Sequence, residues 1–319
     1  MTELTQESPS FPSLDARDAA AIALVPEWQG RSVRYRIAAA PVASPLHRAV
    51  ASDCLVVEPP GSDPVFLKIR HADMVDDILP HAAAAARKAA GLGIGPPVVL
   101  EREGLLGLAY LPEPWRYARV GDLQAPDRLA AVIDAKKRLH GDTVLDRRFC
   151  PFARIDALAA QARHAGVALP DDVPRLVRAM GLVRQAVDAA GMDLRFCHND
   201  GIASNIMIGG PGIRLVDFDL AGDNDPWFDI GALINEVCAF DAERRAAVEH
   251  YAGRFQERLF NRCRLYGAVD DLMWGLWGIT RAVTSPRRDI DFWKYGTWRL
   301  LHARTTVGAR DFEMWLRRL

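Results

Sequence analysis

Across residues 33–37 the apolar Val33, Tyr35 and Ile37 alternate with Arg34 and Arg36, the period-two pattern of a strand with one buried face. Strands are also expected over residues 48–57 and 64–70, divided by the turn-rich PPGSDP; Pro, Gly and Asp favour such reversals. The period then lengthens. From Pro80, PHAAAAARKAAGLG reads as a helix, with proline tolerated in its first turn and glycine closing it. PPVVLE and LLGLAYL flank EREG and predict a hairpin. After LPEP, Leu129, Val132, Ile133, Lys136 and Leu139 recur on one helical face. Further helices are expected over residues 155–164, 174–190 and beyond Trp227, with short apolar strands and polar loops across residues 194–220.

Strand-rich residues 21–112 followed by helix-rich residues 113–319 predict an α+β protein of two lobes. The N-lobe is a small antiparallel sheet with one helix, the C-lobe is larger and mainly helical, and they join near residues 110–113. Residues 1–20 are polar and contain proline, without a basic and apolar leader, and are expected as a flexible tail. The 40 basic and 41 acidic side chains give a net charge of −1, which argues against a nucleic-acid or polybasic membrane-binding protein. Just five of those basic residues are lysines, so the position of each is more informative than the arginine excess. Cys54, Cys150, Cys197, Cys238 and Cys263 are widely spaced with no CxxC pair, and suggest neither a disulfide framework nor a zinc site. No run approaches the roughly 20 apolar residues of a membrane span. A soluble, cytoplasmic protein is expected; the sequence does not set the oligomeric state.

The chemically informative stretch is FCHNDGIASNIMIGGPGIRLVDFDLAGDNDPWFDIG, residues 196–231. His198-x-Asp200 is followed by Asn205 and then by Asp217-Phe218-Asp219. Phosphoryl transfer needs a carboxylate to orient a hydroxyl and take its proton, together with hard oxygen ligands for Mg²⁺. A loop carrying Asp200 and Asn205, backed by a hairpin that places Asp217 beside them, supplies both. Turn formation alone explains any one of these residues, but not the set.

This segment resembles the aminoglycoside phosphotransferase and choline kinase superfamily, a small-molecule branch of the protein-kinase-like fold. CHND with FDIG resembles the choline/ethanolamine kinases in particular. Glu236, MWGLWGI with Trp274 and Trp277, the hinge LPEP and the LGIGPP stretch extend the likeness over roughly residues 35–305. The resemblance implies an ATP-dependent kinase that uses Mg²⁺ and phosphorylates the hydroxyl of a small cationic amino alcohol. It makes Asp200 the catalytic aspartate, Asn205 and Asp217 the Mg²⁺ ligands with Asp219 assisting, and Lys68, in VFLKIR, the cation that contacts the ATP phosphates. His198 and Asp229 become supports of the catalytic loop, and Cys197 a buried filler. Trp274 and Trp277, at i and i+3 on a helix, become faces of an amine cage held by cation–π attraction, with Glu236 as its acid and Tyr295 or Trp298 as a further wall. Read without the family, the same tryptophan pair is core packing.

The chain also departs from that pattern. Ile202 and Leu220 stand where choline kinases carry a polar residue and an aromatic, which predicts a more aliphatic pocket floor. The expected glycine-rich phosphate loop corresponds to APVASPLHRAV, residues 40–50, with two prolines and no glycine. No glutamate occurs between Glu58 and Glu101 to pair with Lys68; Asp76 or Asp77 is the substitute, if either is not a helix cap. Two alternatives follow: a pseudokinase-like binding module that has lost ATP turnover, or a kinase of another alcohol such as an aminoglycoside or thiamine. A metal-dependent phosphatase is a third, for which the sequence offers no second-metal cluster.

Overall fold

The computed structural model describes residues 3–6, 16–43 and 47–319. The first part of the chain runs β1 (Glu3–Gln6), α1 (Ala16–Ala23), β2 (Ser32–Ala39), the two-residue strands β3 (Val42–Ala43) and β4 (His47–Arg48), β5 (Ser52–Glu58), β6 (Val65–Arg70), α2 (Ala82–Gly91), β7 (Val98–Arg102) and β8 (Leu105–Ala109). The second part begins with β9 (Arg116–Tyr117), α3 (Val120–Leu123), α4 (Pro126–His140), α5 (Pro151–His164) and α6 (Val173–Ala190). It continues through β10 (Arg195–Cys197), β11 (Ile206–Gly209), β12 (Gly212–Leu215) and β13 (Gly222–Asn224), and ends with α7 (Pro226–Val237), α8 (Asp241–Ala252), α9 (Glu257–Thr284), α10 (Phe292–Val307) and α11 (Phe312–Arg317). The expected α+β division into a sheet part and a helical part is present.

The main sheet has the order β1-β2-β5-β6-β8-β7. All its pairs are antiparallel except β1 on β2. β1 and the first residues of α1 fall within the segment expected as a tail. A polar strand on a sheet edge is held by backbone hydrogen bonds, which composition does not reveal. The period of two sorts the sheet into two faces. Leu55, Val57, Leu67 and Ile69 join Ile22, Trp28 and Val33 in a core on one side, while Cys54, Val56, Phe66, Lys68 and Leu108 line a cleft on the other. The alternation that buries Leu67 and Ile69 therefore aims Lys68 at the cleft.

In the helical part α9 runs through the centre, and almost every position from Leu259 to Arg281 is buried. Its charged residues, Asp270, Asp271 and Arg281 among them, lie inside the protein. No helix among the described residues is long and apolar enough to cross a membrane. α9 meets α10 backbone to backbone: a Cβ on Gly278 would sit 2.7 Å from the Cα of Gly296. This approach brings Trp274 and Trp277 of α9 alongside Tyr295 of α10.

Candidate functional site

β10 pairs antiparallel with β13, Arg195 opposite Asn224 and Cys197 opposite Gly222, and the loop that follows β10 carries His198 to Asn205. Asn199 turns it with φ of 61°, a left-handed conformation that asparagine tolerates. Its amide donates to the carbonyls of Leu220 and Gly222 at 3.0 and 3.1 Å and accepts from Asn224 at 2.9 Å. Asn199 and Asn224 thus brace the loop itself, whereas Asn205 reaches Asp200. Gly201 is also obligatory, because a Cβ there would lie 2.3 Å from the backbone carbon of Ala232. The loop rests directly on the backbone of α7.

Asp200 is held at both carboxylate oxygens: Ile202 N donates to Oδ1 at 2.8 Å, and Asn205 Nδ2 donates to Oδ2 at 2.9 Å. Burial pushes Asp200 up to about 8 despite the Ile202 bond, and the Asp217 and Asp270 carboxylates add to the rise. Since the Asn205 amide nitrogen is committed to Asp200, its amide oxygen is the group left to meet a cation. Asp217 follows the β11–β12 hairpin at φ of 65°. Lys68 Nζ donates to Asp217 Oδ1 at 2.8 Å and to Asp219 Oδ2 at 2.9 Å. Burial alone would raise Asp217, but Lys68 outweighs it and holds this carboxyl below the usual range; burial and Asp217 leave Asp219 above it. With no glutamate between Glu58 and Glu101 to pair with it, Lys68 is met by aspartates from the opposite side of the cleft. Asp77 does not fill that role: it accepts from Arg154, Arg281 and Trp277 Nε1, each at 2.8 Å.

Oxygen donors from Asn205, Asp217 and Asp219 match the preference of Mg²⁺ for hard ligands. Lys68, lying across both aspartates, shows that the pair draws positive charge. Asp217 and Asn205 border two spaces at once. One is a cleft of about 280 Å³ under the sheet, walled by Val56, Phe66, Leu108 and Tyr110. The other lies beyond Asp200, against Trp274 and Trp277.

Behind the loop, Asp229 is fully buried. It accepts from Lys136 Nζ at 2.6 Å, His140 Nε2 at 3.0 Å, His198 N at 3.0 Å and Asn199 N at 3.1 Å. Lys136 also donates to the Asp200 carbonyl at 3.0 Å. Burial would raise Asp229, yet Lys136 and His140 outweigh that and hold it below the ordinary carboxylate range. Lys136 and His140 were missed as site residues. The signal for Lys136 was a lysine on the apolar stripe of α4, where a charge needs a buried partner. The ring nitrogens of His198 lie 3.0 and 2.9 Å from the carbonyls of Asp200 and Val216, so the ring sits between the loop and the strand end that leads into Asp217; burial lowers its pKa, while the two carbonyls act in the opposite sense.

Trp274 and Trp277 stand edge to face, centroids 5.3 Å apart, with Tyr295 at 6.3 and 6.0 Å. Trp298 is exposed against His302 and takes no part in this cluster. Glu236 lies against Arg299 at 3.3 Å, and Arg299 also meets Asp270 and Asp271. Burial raises Glu236 and pushes Asp270 and Asp271 up to about 6, with Arg299 opposing in each case. Three carboxylates thus share one guanidinium next to the aromatic cluster. Ile202 and Leu220 pack in the same apolar core as the two tryptophans. Of the segment read as a phosphate loop, β3 and β4 pair through Val42–Arg48 and Ala43–His47, and residues 44–46 lie outside the described residues.

Residues 47–266 match the profile of the phosphotransferase enzyme family. Ethanolamine kinase 2 of Homo sapiens is 28% identical over 151 residues, 40% of this chain and 39% of that protein; the match spans well under half of the human enzyme. A choline/ethanolamine kinase family protein from Mesorhizobium loti superposes with a TM-score of 0.77 at 26% identity, over 95% of this chain and 97% of that one. A structure of LicA in complex with AMP superposes with a TM-score of 0.71 at 16% identity, over 91% of this chain and 97% of that one, a likeness of fold.

Proposed function

Since the chain belongs to the phosphotransferase enzyme family, we propose that it transfers the γ-phosphate of ATP to the hydroxyl of a small cationic amino alcohol of the choline or ethanolamine class. One observation carries this reading: Asp200 borders the space against Trp274 and Trp277, and Asn205 and Asp217 open from that space into the cleft beneath the sheet. The AMP bound in the LicA structure and the ethanolamine and choline kinases among its relatives support the assignment of the two halves.

A nucleotide enters the cleft with its base against Val56, Phe66 and Leu108 and its phosphates toward Lys68. Lys68 neutralises phosphate charge from a strand whose alternation leaves it no other direction. Asn205 and Asp217 would hold a magnesium ion, which when bound supplies further charge neutralisation at the phosphates. Asp200 orients the acceptor hydroxyl toward the phosphoryl group and takes its proton. The Ile202 and Asn205 bonds to its two oxygens fix the direction in which its carboxylate faces the acceptor. Little bond-making is complete in the transition state of such transfers, so positioning and electrostatics dominate. Asp229 and His198 act as positioning residues for the loop. The aromatic cluster attracts an ammonium group by about 0.5–2 kcal/mol, and the surplus of carboxylates around Arg299 adds to it.

The test is a coupled ADP-release screen over choline, ethanolamine, their methylated relatives, thiamine and aminoglycosides, with Asp200→Asn as control and calorimetry of MgATP alongside. Turnover of the amines, lost in the control, is expected. Failure to bind MgATP at millimolar concentration leaves a binding module instead; turnover of aminoglycosides without amines removes the amine assignment.

A further inference from the structure

The aromatic cluster is not empty space. The imidazole of His47, carried by the short β4 strand, lies between its rings, with centroids 4.8 Å from Trp274, 4.9 Å from Trp277 and 5.5 Å from Tyr295. Its backbone is docked as well: Ser204 Oγ donates to the His47 carbonyl at 2.7 Å, and His47 pairs with Ala43 across the β3–β4 hairpin. With the ring in place, the space left beside Asp200 measures about 40 Å³, enough for roughly one to three waters and less than an amino alcohol of the choline class occupies. The acceptor and the His47 ring therefore cannot share this place.

We propose that His47 is the resident occupant of the acceptor site, and that acceptor binding is an exchange in which an incoming ammonium displaces its ring from between Trp274, Trp277 and Tyr295. The identity of the acceptor rests on the phosphotransferase reading above; occupation by the ring does not.

The exchange favours a cation for a physical reason. Burial pushes His47 down to about 4, although Asp217 and Asp77 act in the opposite sense, so at neutral pH the resident ring is uncharged. It holds the tryptophan faces by dispersion and edge contacts, whereas an ammonium adds attraction to the ring quadrupoles. Displacing His47 lowers the affinity of every acceptor by one common factor, the fraction of molecules with the ring withdrawn. Cations bind tightly enough to meet that threshold, and neutral alcohols of the same shape do not. His47 thus acts on acceptor choice through absolute affinity, leaving the ratio between two acceptors unchanged.

The experiment uses the full chain, His47→Ala and His47→Phe, with calorimetric titration of choline and of its neutral carbon isostere, 3,3-dimethylbutan-1-ol. The alanine variant is expected to bind both more tightly by the same factor, on the order of tenfold, equivalent to about 1.4 kcal/mol. The phenylalanine variant keeps a ring in the cage and is expected to bind neither more tightly. Unchanged or weakened affinity in the alanine variant, or a gain confined to the cation, overturns the proposal, since each makes His47 a wall of the site rather than its occupant. Proton NMR of the unsubstituted chain tests the same point without a variant. The His47 ring protons, shifted by the three neighbouring rings, should move to exposed positions when tetramethylammonium or choline is added, and ring signals that stay put under saturating choline overturn it. If the ring is displaced but no amine is phosphorylated, the phosphotransferase reading fails alone; if amines turn over with the ring still caged, this proposal fails alone.

Discussion

Replacing Asp229 by asparagine removes the carboxylate from a fully enclosed Lys136 ammonium 2.6 Å away. The remaining partners worsen the loss. His140 Nε2, His198 N and Asn199 N all donate toward Asp229, and an asparagine turns an NH₂ group toward at least one of these donors. Breaking a buried pair while leaving one charge behind costs about 3–5 kcal/mol, a large share of the roughly 5–15 kcal/mol that holds a domain folded. Urea unfolding at neutral pH should show this loss as a lower midpoint at unchanged slope. Adding Lys136→Met removes the stranded charge, and the double variant should regain most of the stability. The pH dependence has a definite sign. Asp229 sits below its unfolded value of about 3.9, so its contribution is fully present above that value and is lost as pH falls through the lower folded pKa. The gap between parent and variant should close on acidification below about pH 4 and stay constant above about pH 5. A single-variant loss under about 1 kcal/mol, or a double variant no better than the sum of its parts, would refute the view of Asp229 and Lys136 as a coupled buried pair.

Other consequences are as specific. Asp200→Asn should lower kcat by about 10²–10⁴-fold, while nucleotide binding by calorimetry and the unfolding midpoint change little. Lys68→Met should weaken nucleotide binding by about tenfold or more, since it removes a buried charge-assisted contact; an unchanged nucleotide Kd would detach Lys68 from the phosphates. Gly201→Ala forces a methyl group into the backbone of Ala232, and should cost about 1–3 kcal/mol in thermal or urea unfolding. It should also reduce kcat more than it changes nucleotide affinity, because the displaced loop carries Asp200.

The strands and helices were largely legible because their signals are local. Val33, Tyr35 and Ile37 announced β2 by alternation, and the apolar stripe from Leu129 to Leu139 announced α4. The same alternation, carried through VFLKIR, sets Lys68 on the face opposite Leu67 and Ile69. The H-x-D-x4-N spacing and the following Asp217 were readable because one loop and one hairpin bring them together. Pairings between distant segments were not. Lys136 and Asp229 are 93 positions apart, and periodicity states that Lys136 faces inward without stating what meets it. The partners of Lys68 lie 149 and 151 positions away, so the stretch between Glu58 and Glu101, with Asp76 and Asp77 as its candidates, does not contain the aspartates that arrive across the cleft. His47 appeared as a residue in a glycine-poor loop; its place between Trp274, Trp277 and Tyr295 exists only after α9 and α10 close on each other at Gly278 and Gly296 and the hairpin folds over them. Local order in a chain determines which face each side chain takes. Which faces meet is decided by packing of the whole, because buried charges and rings find their partners through space and not along the sequence.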